Sequence, residues 1–381
     1  MREPAVASFV STSRFVVGFL VLSAIFTATA FAQSVGAAAS SNVKTIEFVG
    51  SFQSSSDVDV FRTPCQRVRD SFDRAGAAHD LAGERAAVCD RVLDVIAGKA
   101  EPVQTGAKLP IRAVGIATDS HRRIVVTEPS TRSVHIFDFA NRKYMRIDGT
   151  KNDRMLSPDA VAVDADDNLY VTDTKRGMIE VFNAAGNFKK LIGNFKGEGT
   201  FQQPNSIAID RQSGRIYVAD TPRHLVLILN HDGREIGRIG KRGGGSAPAE
   251  FNLPTYLALR GQELFVLDKR NERIQVFNLE GHYKREIKSG GLAFASAAGL
   301  AVDAEGIIYV LQDIGLVQVI NPNGELLFCL GHYGVEAGEF KDSRGIFIDS
   351  TDRFYVADTG NLRVQVFQVT NEGKVVHTAA R

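Results

Sequence analysis

Residues 349–367 read Asp-Ser-Thr-Asp-Arg-Phe-Tyr-Val-Ala-Asp-Thr-Gly-Asn-Leu-Arg-Val-Gln-Val-Phe. A polar corner at Asp349 leads into Phe354-Tyr355-Val356. A second turn spans Asp358 to Asn361, and Val364-Gln365-Val366-Phe367 then alternates apolar and polar. Period-two alternation bounded by Asp, Gly and Asn is the pattern of short antiparallel strands. One such hairpin buries too little apolar surface to fold alone, so like units must stack on it.

The unit recurs through the chain. Its corner acid returns as Asp119, Asp164, Asp210, Asp303 and Asp349, with Arg260 in its place once, at intervals of 45, 46, 50, 43 and 46 residues. An apolar pair follows each corner: Val125-Val126, Tyr170-Val171, Tyr217-Val218, Phe265-Val266, Tyr309-Val310 and Tyr355-Val356. A third strand comes next, as in Ile179-Glu180-Val181-Phe182 and Ile274-Gln275-Val276-Phe277, and then a Gly turn and a fourth. Four strands in each period of about 40–50 residues is the arithmetic of a propeller blade. Six copies predict an all-β, six-bladed β-propeller.

Pro158 to Asp164, Tyr170 to Thr174, Arg273 to Phe277 and Arg363 to Phe367 also share a signature that resembles the NHL repeat. It reads Pro-x-small-Ile/Val-Ala-Val/Ile-Asp, Tyr-Val-x-Asp-Thr and Arg-Ile/Val-Gln-Val-Phe. The resemblance covers roughly residues 110–378 and implies an NHL-type propeller there. It also implies a choice of roles, since such propellers include binding scaffolds, sensors, RNA-binding domains and some enzymes. The chain has no Trp, which speaks against Trp-Asp propellers and Asp-box sialidases.

Ahead of the repeats the composition changes. Residues 1–32 carry Arg2 and Arg14, an apolar run from Phe15 to Phe31 and an Ala30-Phe31-Ala32 cleavage pattern. That is the layout of an export signal, and it predicts a secreted or periplasmic protein. Loss of Arg2, Glu3 and Arg14 takes the formal charge from +1 to 0. Residues 33–109 read as a linker and a pair of short amphipathic helices within 64–97, which brace the propeller. Cys65 and Cys89 fall one on each helix, so a disulfide between them is compatible with export. Cys329, in an outer strand, reads as a small buried hydrophobe. Two segments compete to complete the last blade: Asn371 to Val376 after it, and Lys44 to Val49 far upstream.

Chemistry on such a scaffold belongs to the loops at the face where the innermost strands begin. Counting back five places from each corner residue puts Val114, Asp159, Asn205, Thr255, Ala298 and Arg344 around the channel mouth. Asp159, Asn205, Thr255 and Arg344 are the candidate ligand-binding set; the bland alternative is a wet channel that they merely solvate. Asp173, Asp220, Asp268 and Asp358 occur once per blade, which argues for capping of tight turns rather than catalysis. Lys175, Arg176, Arg223, Lys241, Arg242, Lys269 and Arg270 form a basic stripe on blades 2 to 4, suited to an acidic protein or anionic glycan. Interleaved acids, zero mature charge and export argue against nucleic acid.

Enzymatic relatives of the resembled family hold calcium on Glu, Asn and Asp, or zinc on His. Only Asp159 and Asn205 match such a calcium ring, and His224 and His332 alone fall on the loop-rich face. No cofactor is therefore expected, and calcium or zinc enters only under the alternative of a metal-assisted hydrolase or lyase, lactonase-like or amidating-lyase-like, at the same mouth. The reading is an exported, monomeric binding scaffold for a protein, glycan or small polar ligand, with no membrane span after signal cleavage and no assigned catalytic residue.

Overall fold

The structure, a computed structural model, describes residues 45–52, 111–149, 153–193, 201–288 and 293–370. The export signal, the helical pair of 64–97, Cys65, Cys89 and the 371–376 segment all lie outside these residues. The described part is six four-stranded antiparallel sheets. Blade 1 comprises Ile116–Thr118, Ile124–Glu128, Ser133–Asp138 and Lys143–Ile147; blade 2 comprises Pro158–Val163, Leu169–Asp173, Met178–Phe182 and Phe188–Ile192. Blades 3, 4 and 5 span Pro204–Gly240, Pro254–Lys288 and Ala297–Leu330 in the same order. Blade 6 has Gly345–Ile348, Arg353–Asp358 and Arg363–Thr370. No α-helix occurs among the described residues; four single 3-10 turns do.

The fourth strand of blade 6 is Thr45–Phe52, which pairs antiparallel with Arg363–Thr370 from Thr45 opposite Thr370 to Phe52 opposite Val364. Of the two segments able to complete the ring, the upstream one makes this pairing. The stretch read as linker thus contributes a strand to the propeller.

Burial follows strand position. Second strands such as Leu-Tyr-Val-Thr-Asp (169–173) and Ile-Tyr-Val-Ala-Asp (216–220) are buried at every residue, because both faces pack against neighbouring blades. Outer strands such as Phe188–Ile192 are largely exposed. The buried side chains divide into six clusters, one per pair of adjacent blades, and the last joins Ile124, Val126 and Phe137 of blade 1 to Tyr355, Val364 and Val366 of blade 6. Six interfaces for six blades make a closed ring.

The loop entering each blade seats an apolar plug between blades: Ile111, Met155, Phe201, Phe251, Phe294 and Phe340. Burying an aromatic of this size stabilises by roughly 2–3 kcal/mol. The outer edge departs from expectation at one point. Cys329 is an exposed free thiol, because its strand, Leu326–Leu330, presents that face to solvent.

Candidate functional site

The once-per-blade acids sit at the ends of the second strands and are fully buried. Asp173 accepts from the backbone N–H groups of Leu156 (2.6 Å) and Ser157 (3.0 Å), Asp220 from Gln202 and Gln203, Asp268 from Asn252 and Asp358 from Lys341. These donors lie mainly in the loop entering the innermost strand of the same blade. Asp173 also caps its own tight turn through the Arg176 N–H, and Asp268 and Asp358 accept from the Asn271 and Asn361 side-chain amides of theirs. The acids are structural, as expected, but they staple the incoming loop more than the hairpin.

That loop delivers the mouth residues. The ladder between first and second strands slips after Pro158, Pro204, Pro254 and Ala297, leaving Asp159, Asn205, Thr255 and Ala298 without register partners. A β-bulge re-aims the side chain it releases. Here the released side chains of blades 2, 3 and 4 turn into a central channel of about 600 Å³, lined by the innermost strands of all six blades. Val114, Asp159, Asn205, Thr255 and Arg344 all line it. Ala298 does not; it packs in the core between blades 5 and 6, and Gly299 takes its place on the wall. Thr255 spends its hydroxyl locally, donating to Leu253 O at 3.0 Å.

Two glycines set the spacing of the wall. A Cβ on Gly345 would collide with the Val114 carbonyl, and one on Gly115 with the Asp159 carbonyl. The innermost strands of blades 6, 1 and 2 therefore pack closely. The Thr127 hydroxyl holds the seam from behind, accepting from Gly115 N at 2.8 Å and donating to Asp159 O. Arg344 and Asp159 consequently face the channel from opposite sides of blade 1.

One polar atom at this mouth has no hydrogen-bond partner among the described residues. Asn205 Oδ1 is buried without a hydrogen bond. Burial pushes the Asp159 carboxyl up to about 6, against the opposing pull of the Arg344 guanidinium. Burial, with the Asp159 charge behind it, also raises Tyr256, a channel-lining phenol that the five-place count missed by one residue.

At the opposite mouth, where the innermost strands end, Arg122, Arg211 and Arg260 line the channel. Arg211 donates to Thr118 O and Val163 O, tying blades 1 and 2 together. The corner acids there are committed to their turns: Asp119 accepts from His121 N and Arg123 N, Asp349 from Thr351 N and Arg353 N.

The basic stripe divides in two. Arg176 is buried against Asp153, Asp173 and Glu180; Arg223 pairs with Asp220 at 3.2 Å and Lys241 with Glu250 at 2.5 Å; Lys269 donates to Ala297 O. Lys175, Arg242 and Arg270 remain exposed on the rim. The spacing along the chain could place these cations on one face, but not show which of them are spent on the protein's own carboxylates.

Against known proteins, the six-bladed β-propeller family matches residues 116–232 and 212–319, together more than half of the 381 residues, and the NHL repeat matches 344–367. The chain belongs to the NHL-repeat six-bladed propeller family. This NHL propeller is 32% identical over 94 residues to protein brain tumor of Drosophila melanogaster, covering 24% of this chain and 9% of that protein. It is 26% identical over 186 residues to peptidyl-glycine alpha-amidating monooxygenase A of Xenopus laevis, covering 46% and 18%. The chain thus spans under a fifth of these curated relatives. Among solved structures it resembles a gluconolactonase of Xanthomonas campestris, with TM-score 0.52 and 18% identity over 68% of this chain and 89% of that one. At such identity the likeness is one of fold.

A resident cation does not fit the mouth of this NHL propeller. Asp159 and Asn205 supply three side-chain oxygens, the Thr255 hydroxyl at most a fourth, and the Arg344 charge opposes a cation. Calcium takes six to eight oxygens. Among the described residues no three His, Cys, Asp or Glu side chains are grouped to hold a metal.

Proposed function

We propose that the NHL propeller is an exported binding module that takes a small polar ligand into the channel mouth. The buried, partnerless Asn205 Oδ1 carries this reading. Leaving such an acceptor unpaired costs roughly 1–3 kcal/mol, and a ligand donor removes that cost. Concave sites with few convergent polar groups on a largely preformed wall are the usual form of small-molecule sites. The exposed Lys175, Arg242 and Arg270 then offer the rim to an acidic protein surface or an anionic glycan.

The test is a thermal-shift screen of polar metabolites on the full chain and on Asn205→Ala. At least one compound is expected to raise Tm in the parent protein and to lose at least three-quarters of that effect in the variant. A screen in which nothing binds, or in which Asn205→Ala binds as well as its parent, overturns the reading.

A second reading rests on Asp159. A carboxyl held near 6 can exchange protons at working pH, which suits an acid–base residue of a hydrolase or lyase. Incubating each hit with the protein and looking for product separates turnover from binding.

A further inference from the structure

The near mouth holds opposite charges on the two blades that flank blade 1, and they do not meet. Asp159 on blade 2 and Arg344 on blade 6 feel each other electrostatically, yet they form no ion pair within 4.0 Å. Oppositely charged groups on flexible stems close on one another unless something keeps them apart. Here it is the wall: the Gly115 and Gly345 seams lock the strands of blades 2, 1 and 6 side by side, with Val114 between the two charged positions. Next to Asp159, Asn205 adds an acceptor with no donor, and Tyr256 a phenol. The acceptors lie toward blades 2 and 3, and the guanidinium lies across blade 1.

We infer that the mouth recognises a dipolar small molecule, its ammonium toward Asp159 and Asn205 and its carboxylate toward Arg344. This rests on the channel-mouth reading above and narrows it to a ligand class. A lone cation would face the Arg344 charge uncompensated, and a lone anion would face Asp159. A ligand bearing both charges satisfies both walls and leaves no unpaired charge. The guanidinium also favours carboxylate, which it can bind through two parallel N–H donors. The far mouth lacks this pairing, since its three arginines face corner acids already bonded to their own turns.

The experiment titrates the full chain with the unbranched ω-amino acids from glycine to 6-aminohexanoate, and with the n-alkylamine and carboxylate of each length. One or more of the amino acids is expected to bind at least ten-fold tighter than its matched amine and carboxylate. Arg344→Gln should cut that amino acid's affinity at least ten-fold while changing the amine less than three-fold, and Asp159→Asn should do the converse with the carboxylate. Equal binding of a single-charge probe overturns the proposal, as does failure of every amino acid. The parent-protein comparison stands even if a variant misfolds. An Asn205-dependent hit among neutral compounds, with all amino acids silent, sinks the dipolar class while sparing the channel-mouth reading.

Discussion

Asp358 accepts from Lys341 N at 2.7 Å, Arg363 Nε at 2.7 Å and Gln365 Nε2 at 2.9 Å, and is fully buried. Asp358→Ala takes the carboxylate from the half-buried Arg363 guanidinium and strands a loop N–H, so a loss of about 2–4 kcal/mol is expected by chemical denaturation. Glu180 holds the position that Gln275 and Gln365 hold in blades 4 and 6, but its Oε2 is buried without a partner. Burial lifts its carboxyl to about 7, Asp173 and Asp153 push the same way, and Arg176 opposes them. A carboxyl whose folded pKa lies above its unfolded value stabilises at low pH, and that contribution fades as pH rises from about 4.5 to about 7. Glu180→Gln should therefore gain on the parent by about 2–4 °C in Tm at pH 8 and match it near pH 4.5. Asp159 follows the same sign at about 6, with Arg344 and Tyr256 as its charged and titratable neighbours. Affinity for an ammonium-bearing ligand should fall as pH drops below about 6, and Asp159→Asn should flatten the profile.

At the scale of elements, the Arg-x-Gln of the third strand is a loop clamp. Arg363 donates to Glu336 O and Glu339 O, while Gln365 donates to Glu339 O and accepts from Gly338 N; Arg273 and Gln275 treat Ala247, Ala249 and Glu250 alike. Arg363→Ala should raise amide exchange at Gly338 and Phe340 at least ten-fold and leave blade 3 unchanged. The blades themselves were legible in the sequence because strand alternation and corner acids repeat in register. The five-place count found Asp159, Asn205, Thr255 and Arg344 for the same reason. It failed at Ala298, which a slip equivalent to those of blades 3 and 4 releases but which packs in the core between blades 5 and 6, and it passed over Tyr256, because a count that names one residue per blade cannot include the neighbour that also lines the channel. Arg176 misled in another way: Asp173 and Glu180 are near it in sequence, but its third partner, Asp153, lies 23 residues upstream in the loop ahead of the blade.

At the scale of the molecule, ring closure was the point that sequence left undecided. Two segments had strand-like alternation, and only pairing across more than 300 residues distinguishes them. Truncating the chain to begin at residue 53 removes the fourth strand of blade 6 and exposes the edge of Arg363–Thr370. A Tm loss of at least 10 °C, or association through that edge, is expected by calorimetry and light scattering. A chain beginning at residue 44 should melt at least 5 °C above it.

The polarity of that seal has a mechanical meaning. Because Thr45 faces Thr370 and Phe52 faces Val364, a pull applied at 45 and 370 acts on the same end of the ladder. Its hydrogen bonds then give way one after another, as a zipper opens, instead of resisting together in shear. Held between its two tails in an optical trap, the propeller should open at this seam at low force, and the remaining five sheets should yield later.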